Sequence, residues 1–193
     1  MSFTDLGLGT DLDTSRVKQL FARHRVVHFK NVTDLVDQAV LAFQKGEPIF
    51  WAQGRMEYGP RALGHRSIIA RADSTELKDA LNIRLKKRVW YQPFCPVMLD
   101  SDARELLEDY REPFPFMTCA FWVKKSERPS VIGTLNVDGS CRPQILADSD
   151  PSGYAELLRA WKKTHGRGVL LNTSLNVHGE PLASTVEDLK RAF

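Results

Sequence analysis

The chain has 193 residues, with 27 Lys and Arg against 24 Asp and Glu, a net charge of +3. That length fits one domain, or two small ones at most, and suffices for a self-supporting core. At 42% hydrophobic and 26% charged residues the composition is globular rather than disordered, and so small a charge surplus does not by itself announce nucleic acid.

Taken in chain order, residues 1–30 read as a lead-in or linker, with Gly7, Gly9 and a short helical stretch over 14–25. Thr33-Asp34 caps a helix whose Leu35, Val36, Ala39, Val40 and Phe43 form an apolar stripe, and Gly46 stops it. Residues 48–52 are a short apolar run with aromatic and branched members, hence a buried strand, and 67–70 a second one. Asp73-x-x-Glu76 predicts a capping box opening a helix with Leu77, Ala80, Leu81 and Leu85 inward. Strands are expected over 94–99 and 116–124, with a short helix over 101–110 between them.

Residues 131–137 and 141–146 flank Asp138-Gly139, which predicts a β-hairpin. Asp150-Pro151 opens a helix presenting Tyr154, Leu157, Leu158 and Trp161, with Gly166 as its stop. Residues 169–171 are a strand, and Ser184-x-x-Glu187 opens the last helix. The expected fold is therefore a single mixed α/β domain with hairpins as well as crossovers, covering 31–193.

The longest apolar runs, 39–43 and 119–123, have five residues, whereas a membrane helix needs about 20. The N-terminus lacks the basic and apolar regions of a secretory signal. Cys95, Cys119 and Cys141 are odd in number and lack ligand spacing, which reads against a disulfide framework or a structural zinc site. The five histidines never form a metal-binding pair with nearby carboxylates, so no protein-held metal is expected. A reducing cytoplasm is the expected compartment.

Chemistry concentrates in three stretches. The first runs from Gln53 to Ser67 as QGRMEYGPRALGHRS, with Gly54, Gly59 and Gly64 at five-residue intervals and Arg55, Arg61 and Arg66 between and after them. Guanidinium forks beside such glycines suit phosphate or carboxylate oxygens, although a solvated surface loop has the same composition. The second is Arg84-x-Lys86-Lys87-Arg88 at a predicted helix end, where basic residues complement the helix dipole and are usually solvated. The third is LLNTSLNVHGEP from Leu170 to Pro181, a strand running into Asn172, Thr173, Ser174 and Asn176. That is where open α/β sheets bind ligands, though a plain turn reads the same way. Arg142, by default, is a surface charge after the Asp138-Gly139 turn.

In this order GRMEYGPRALGHRS, ALN at 80–82, the basic run into QPFCP, PFM at 115–117, DGSCRPQ and LLNTSLNVHGEP resemble the C-terminal domain of the O-carbamoyltransferases of the nodulation and antibiotic-tailoring type. The match covers about 31–193. The resemblance implies a YrdC-like fold, a twisted mixed sheet with flanking helices and a basic concave face. It implies binding of ATP, with Mg²⁺ accompanying it, and of carbamoyl phosphate, to form carbamoyl adenylate. A separate N-terminal transfer domain or subunit is the implied partner, passing the carbamoyl group to an acceptor hydroxyl.

On this resemblance Arg61, Arg88 and Arg142 are the expected catalytic contacts to phosphate or carbamoyl oxygens. Arg55, Arg66 and Lys87 support them, Asn172 and Ser174 hydrogen-bond the substrate, and Asn176 orients its loop. Glu57 and Glu180 read either as glutamates salt-bridged to arginine or as metal contacts through water. The chain departs from the family pattern at Val89, Gln92, His65 and Cys95, where an acidic residue, Arg, Asn and Ala are common. Two other readings stay open: an anion-binding regulatory relative without turnover, and a YrdC-type protein making threonylcarbamoyl adenylate for tRNA modification.

Overall fold

The computed structural model describes residues 5–111 and 114–193. Helix α1 (Val17–Leu20) is a single turn, and α2 (Val32–Gln44) is the first long helix. Asn31, two residues before the expected cap, accepts from the Asp34 N–H at 2.8 Å, so α2 starts earlier. Its buried stripe is Val36, Ala39, Val40 and Phe43, whereas Leu35 falls off that face and is 41% exposed.

A five-stranded sheet follows, in the order β1-β2-β7-β3-β6. Strands β1 (Ile49–Ala52), β2 (Arg66–Arg71), β7 (Val169–Ser174) and β3 (Cys95–Leu99) pair antiparallel, and β6 (Gln144–Leu146) joins β3 in parallel. Because side chains alternate across a strand, each strand contributes to two cores. On one face Ile69, Val97, Leu99 and Leu170 pack against α2 and α5 (Gly153–His165), around Phe43, Leu157 and Trp161. On the other, Ala70 and Leu171 meet the helical turns after α3 (Thr75–Ala80), Ile68 meets α6 (Val186–Ala192), and Met98 meets α4 (Asp100–Leu106). Helices thus cover both faces of a mixed sheet in one domain.

Three further predicted caps shift by one or two residues, and in two of them a competing partner explains the shift. Asp73 is held by Arg71 through two 2.9 Å bonds, leaving Ser74 to cap α3. Asp150 accepts from the Ser152 N–H at 2.7 Å, and Ser152 caps α5. The last capping box is Thr185 with Asp188 rather than Ser184 with Glu187.

The region 116–146 departs most from expectation. Only Phe121–Trp122 (β4) of the predicted strand is extended, after a left-handed backbone at Met117 (φ 56°). Residues expected in the first hairpin arm belong to the 3₁₀ stretch Lys125–Thr134, broken at Val131. The Asp138-Gly139 turn does form, with the Ser140 N–H donating to Asp138 at 2.9 Å. Its arms do not pair with each other, because Ser140–Cys141 (β5) pairs with β4 while β6 crosses to β3. Burial of Ile145 against β3 outweighs the local hairpin signal.

Candidate anion-binding site

Strand β7 carries the site because its last residues run beyond the helices covering its face. Leu170 lies in the core; Asn172 and Ser174 share its face farther along the strand. The loop from β1 to β2 folds over Asn172, whose Nδ2 donates to the Ala62 carbonyl at 3.0 Å and to Gln144 Oε1 at 2.9 Å. Gln144 Nε2 in turn donates to the Leu63 carbonyl at 2.8 Å. Chain geometry then keeps the Arg61 Cα within about 20 Å of Ser174, and Arg61 itself is exposed.

That loop is built around two buried charges. Glu57, fully buried, accepts N–H bonds from Leu63, Arg66 and His65 at 2.6, 3.2 and 3.3 Å. Arg66, also fully buried, donates to the carbonyls of Gln53, Gly54 and His65 at 2.9, 3.1 and 2.9 Å. Burial lowers the pKa of Arg66 and the nearby Glu57 carboxylate opposes that shift. Gly64 is required by close approach: at φ 94° a Cβ there would lie 2.2 Å from Tyr154. Residues 5–10 run beside the loop, with Arg55 donating to the carbonyls of Gly9 and Leu8 at 2.9 and 2.6 Å. Arg55 and Arg66, expected as substrate contacts, are therefore engaged with backbone carbonyls and hold the loop's shape.

The second limb follows α3, where the chain widens into a π-helical turn at Leu81–Leu85, closed by the Lys86 N–H on the Leu81 carbonyl. A π turn advances side chains out of α-helical phase. Lys86 is thereby turned inward and is 5% exposed, while Lys87 takes a left-handed backbone (φ 47°) and faces solvent. Lys87, expected as a supporting contact, thus lies outside the buried cluster. Lys86 Nζ donates to Ser174 O at 2.8 Å, Ser174 Oγ at 3.2 Å and Asn176 Oδ1 at 2.6 Å. Burial, with help from Arg88, lowers its pKa to about 8. Asn176 also donates to the Glu180 carbonyl at 2.6 Å, fixing the loop after β7.

Buried Asn82 clamps the rest of this limb, donating to the carbonyls of Trp90 and Gln92 at 2.8 and 2.9 Å and accepting from Arg88 Nε at 2.6 Å. The Arg88 guanidinium lies 4.5 Å over the Phe94 ring, and its Nη2 is buried without a partner. Burial lowers its pKa too. The third limb is Arg142, on the short link from β5 to β6, whose Nη2 donates to Cys95 Sγ at 3.4 Å. Cys95 lies directly opposite Asn172 in the sheet.

The structure thus brings Arg88, Arg142, Asn172, Ser174 and Asn176 around the end of β7 and adds Lys86, with Arg61 exposed on the loop that folds over Asn172. Among the described residues, none of Lys86, Arg88 and Arg142 has a carboxylate partner; their acceptors are amide, hydroxyl, carbonyl and thiol atoms. Uncompensated cations converging on a strand end are the arrangement that binding an anion requires. Lys86, Asn82 and Gln144 were not singled out from sequence, although all three stand inside motifs that were.

Beyond Gln144 lies a cavity of about 800 Å³, lined by Leu63, His65, Asp100, Asp148, Asp150 and Tyr154 among others. Its carboxylates are engaged. Asp100 accepts from Arg104 and Tyr110, Asp148 from Ser101, and Asp150 from Ser152. Glu180 pairs with Arg191 at 2.9 Å, and no group of three or more His, Cys, Asp or Glu among the described residues could hold a metal.

Residues 40–193 match the family described as Carbamoyltransferase C-terminus. The chain belongs to that family. It is 37% identical over 189 residues to nodulation protein NolNO of Sinorhizobium fredii, covering 96% of this chain and 28% of that protein. It is 36% identical over 159 residues to a 3'-hydroxymethylcephem-O-carbamoyltransferase of Streptomyces clavuligerus, covering 81% of this chain and 30% of that one. The chain thus spans less than a third of these relatives. In fold it resembles a Sua5 variant of P. abyssi, with a TM-score of 0.59 at 12% identity over 83% of this chain and 44% of Sua5. It also resembles full-length HypF, at 0.53 and 15% identity over 87% of this chain and 20% of HypF. The YrdC-like expectation agrees with these neighbours. Among the described residues no helix is long and apolar enough to cross a membrane.

Proposed function

We propose that the domain binds ATP and carbamoyl phosphate at the end of β7 and activates the carbamoyl group as carbamoyl adenylate, for transfer to an acceptor hydroxyl by a separate domain or subunit. The observation that carries this reading is the convergence of Lys86, Arg88 and Arg142, without carboxylate partners, on Asn172 and Ser174. Two polyphosphate-like substrates repel each other, and reaction needs that repulsion cancelled while the reacting atoms stay in line.

Mass balance sets the steps. Water takes the phosphoryl group from carbamoyl phosphate as phosphate, leaving carbamate; a carbamate oxygen then attacks the α-phosphorus and pyrophosphate leaves. Arg88 and Arg142 are assigned to the departing phosphates, Arg61 at the loop's edge to the triphosphate, and Asn172, whose unpartnered Oδ1 is an acceptor, to the carbamoyl N–H beside Ser174. Lys86 holds Ser174 and Asn176 in place and adds charge beneath them. The described residues offer no carboxylate cage, so Mg²⁺ would arrive on the triphosphate, whose charge it screens.

The test is pyrophosphate release by the isolated chain from ATP and Mg²⁺. Slow release that depends on carbamoyl phosphate, with no carbamoylated product from any hydroxyl acceptor, is expected. Binding of both substrates without any release would favour an anion-binding relative without turnover. Dependence on threonine and bicarbonate instead would favour threonylcarbamoyl adenylate.

A further inference from the structure

We propose that Cys95 is a modification site that switches the anion site off: peroxide oxidises its thiol, and a small anionic thiol then caps it as a mixed disulfide in the space a phosphate would take. The switching function rests on the anion-site reading above; the modification itself does not.

The thiol is not a solitary cysteine. Cys95 opens β3 directly opposite Asn172, so the two side chains share a face with Cβ atoms about 5 Å apart. Asn172 is 2% exposed and its Oδ1 has no partner, an acceptor held beside the sulfur. Arg142 Nη2 is 3.4 Å from Sγ. Arg88 lies over the adjacent Phe94 ring with Nη2 buried and unpartnered. Arg142 is thus the donor in contact with the thiol, and the unpartnered Asn172 Oδ1 belongs to the residue paired with it across the sheet. Cys95 is also partly open to solvent, whereas the neighbouring Cys141 is fully buried and its thiol is pushed up to about 12 by that burial. Peroxide therefore meets Cys95 and not Cys141.

The chemistry uses the same donors that would hold phosphate. The sulfur attacks one peroxide oxygen, the O–O bond breaks, and the leaving hydroxide takes a proton to become water. Guanidinium N–H groups favour the departing oxyanion. The sulfenic acid then condenses with a second thiol, forming S–S and releasing a second water. A capping thiol that carries a carboxylate or sulfonate pairs with Arg88 and Arg142, so the site selects an anionic thiol over a neutral one. Once capped, those arginines are occupied and the phosphate position is filled.

The experiment treats the full chain with hydrogen peroxide and 2-mercaptoethanesulfonate, maps the adduct by peptide mass, and measures pyrophosphate binding by calorimetry before and after. We expect the adduct on Cys95, at least about a tenfold loss of pyrophosphate affinity and recovery on reduction. We also expect slower capping when pyrophosphate is present. Cys95→Ala should keep whatever affinity it starts with through the treatment, while Cys119→Ala should still lose its affinity. An adduct on Cys119 alone, or an adduct on Cys95 with binding unchanged, overturns the proposal. If the untreated chain binds no pyrophosphate, the anion-site reading fails by itself. Cys95 is then judged on charge preference: faster capping by mercaptoethanesulfonate than by neutral 2-mercaptoethanol, lost in Arg142→Ala, supports the modification site, and equal rates sink it.

Discussion

The cations at the end of β7 and the carboxylates around the adjoining cavity lie on either side of Gln144, and the protein uses them in opposite ways. Each of Asp100, Asp148 and Asp150 satisfies a helix start, a turn or an arginine. Their charge is internal to the fold. Lys86, Arg88 and Arg142 are instead held by neutral amide, hydroxyl, carbonyl and thiol atoms, which position a cation without cancelling it. Within the arginine-rich loop itself the same division appears, since Arg66 is walled in by carbonyls and Arg61 is exposed. Residue type alone does not mark a functional charge. The partner does.

The largest effect should come from breaking the rule on its structural side. Arg66→Ala takes the donor from three carbonyls and leaves buried Glu57 without its cation, and should cost about 3 kcal/mol or more. For a domain of this size that lowers Tm by roughly 6–12 °C, measurable by calorimetry. A smaller shift would place Arg66 among the expendable charges. Arg142→Ala should leave stability nearly unchanged and weaken pyrophosphate or ATP binding by about 1.5–3 kcal/mol in titration. Arg88→Ala should do both, because its Nε bonds Asn82 and its guanidinium covers Phe94. Unchanged affinity in both variants would dismantle the site.

Lys86 sharpens the contrast through pH. Its pKa of about 8 lies below the ordinary lysine value, so in the free domain its charge is lost as pH rises through about 8 while the arginines keep theirs. Anion affinity should fall by up to about tenfold between pH 7 and 9, and Lys86→Arg should flatten that profile. Between about 8 and the ordinary value the unfolded chain binds more protons than the folded one, so the stability of the free domain should rise with pH across that window. The smallest effect is expected from Asp148→Ala, which removes the acceptor for the Ser101 N–H and hydroxyl and should cost about 1 kcal/mol with anion binding unmoved.

Much of this was legible in the sequence where local chemistry and global packing agree. The stripe from Val36 to Phe43 and the strands expected at 48–52 and 169–171 follow from periodicity and turn residues, although β7 runs three residues farther, to Ser174. Legibility failed where a distant partner decided. The Asp138-Gly139 turn is real, yet β5 and β6 pair with strands of two different sheets, which no turn signal can specify. Lys86 and Lys87 are chemically equivalent neighbours, and only the π turn before them selects which faces Ser174. What Arg55 and Arg66 bond was hidden for the complementary reason: a dense run of guanidiniums does not show which of them the backbone carbonyls hold.

Strand β7 occupies the middle of the sheet but comes late in the chain, pairing Ser67 with Ser174 and Cys95 with Asn172. On a ribosome adding about 5–20 residues per second, β3 waits roughly 4–15 s for the strand that fills the gap between it and β2. During that interval both have unpaired edges and uncovered apolar faces, the condition in which nascent chains recruit chaperones or pair wrongly with one another. Closing so many long-range contacts at once makes for slow folding. Because Asn172 and Ser174 ride on the same strand, the nascent domain has no binding face at all until its sheet is sealed, and folding and competence arrive in a single event.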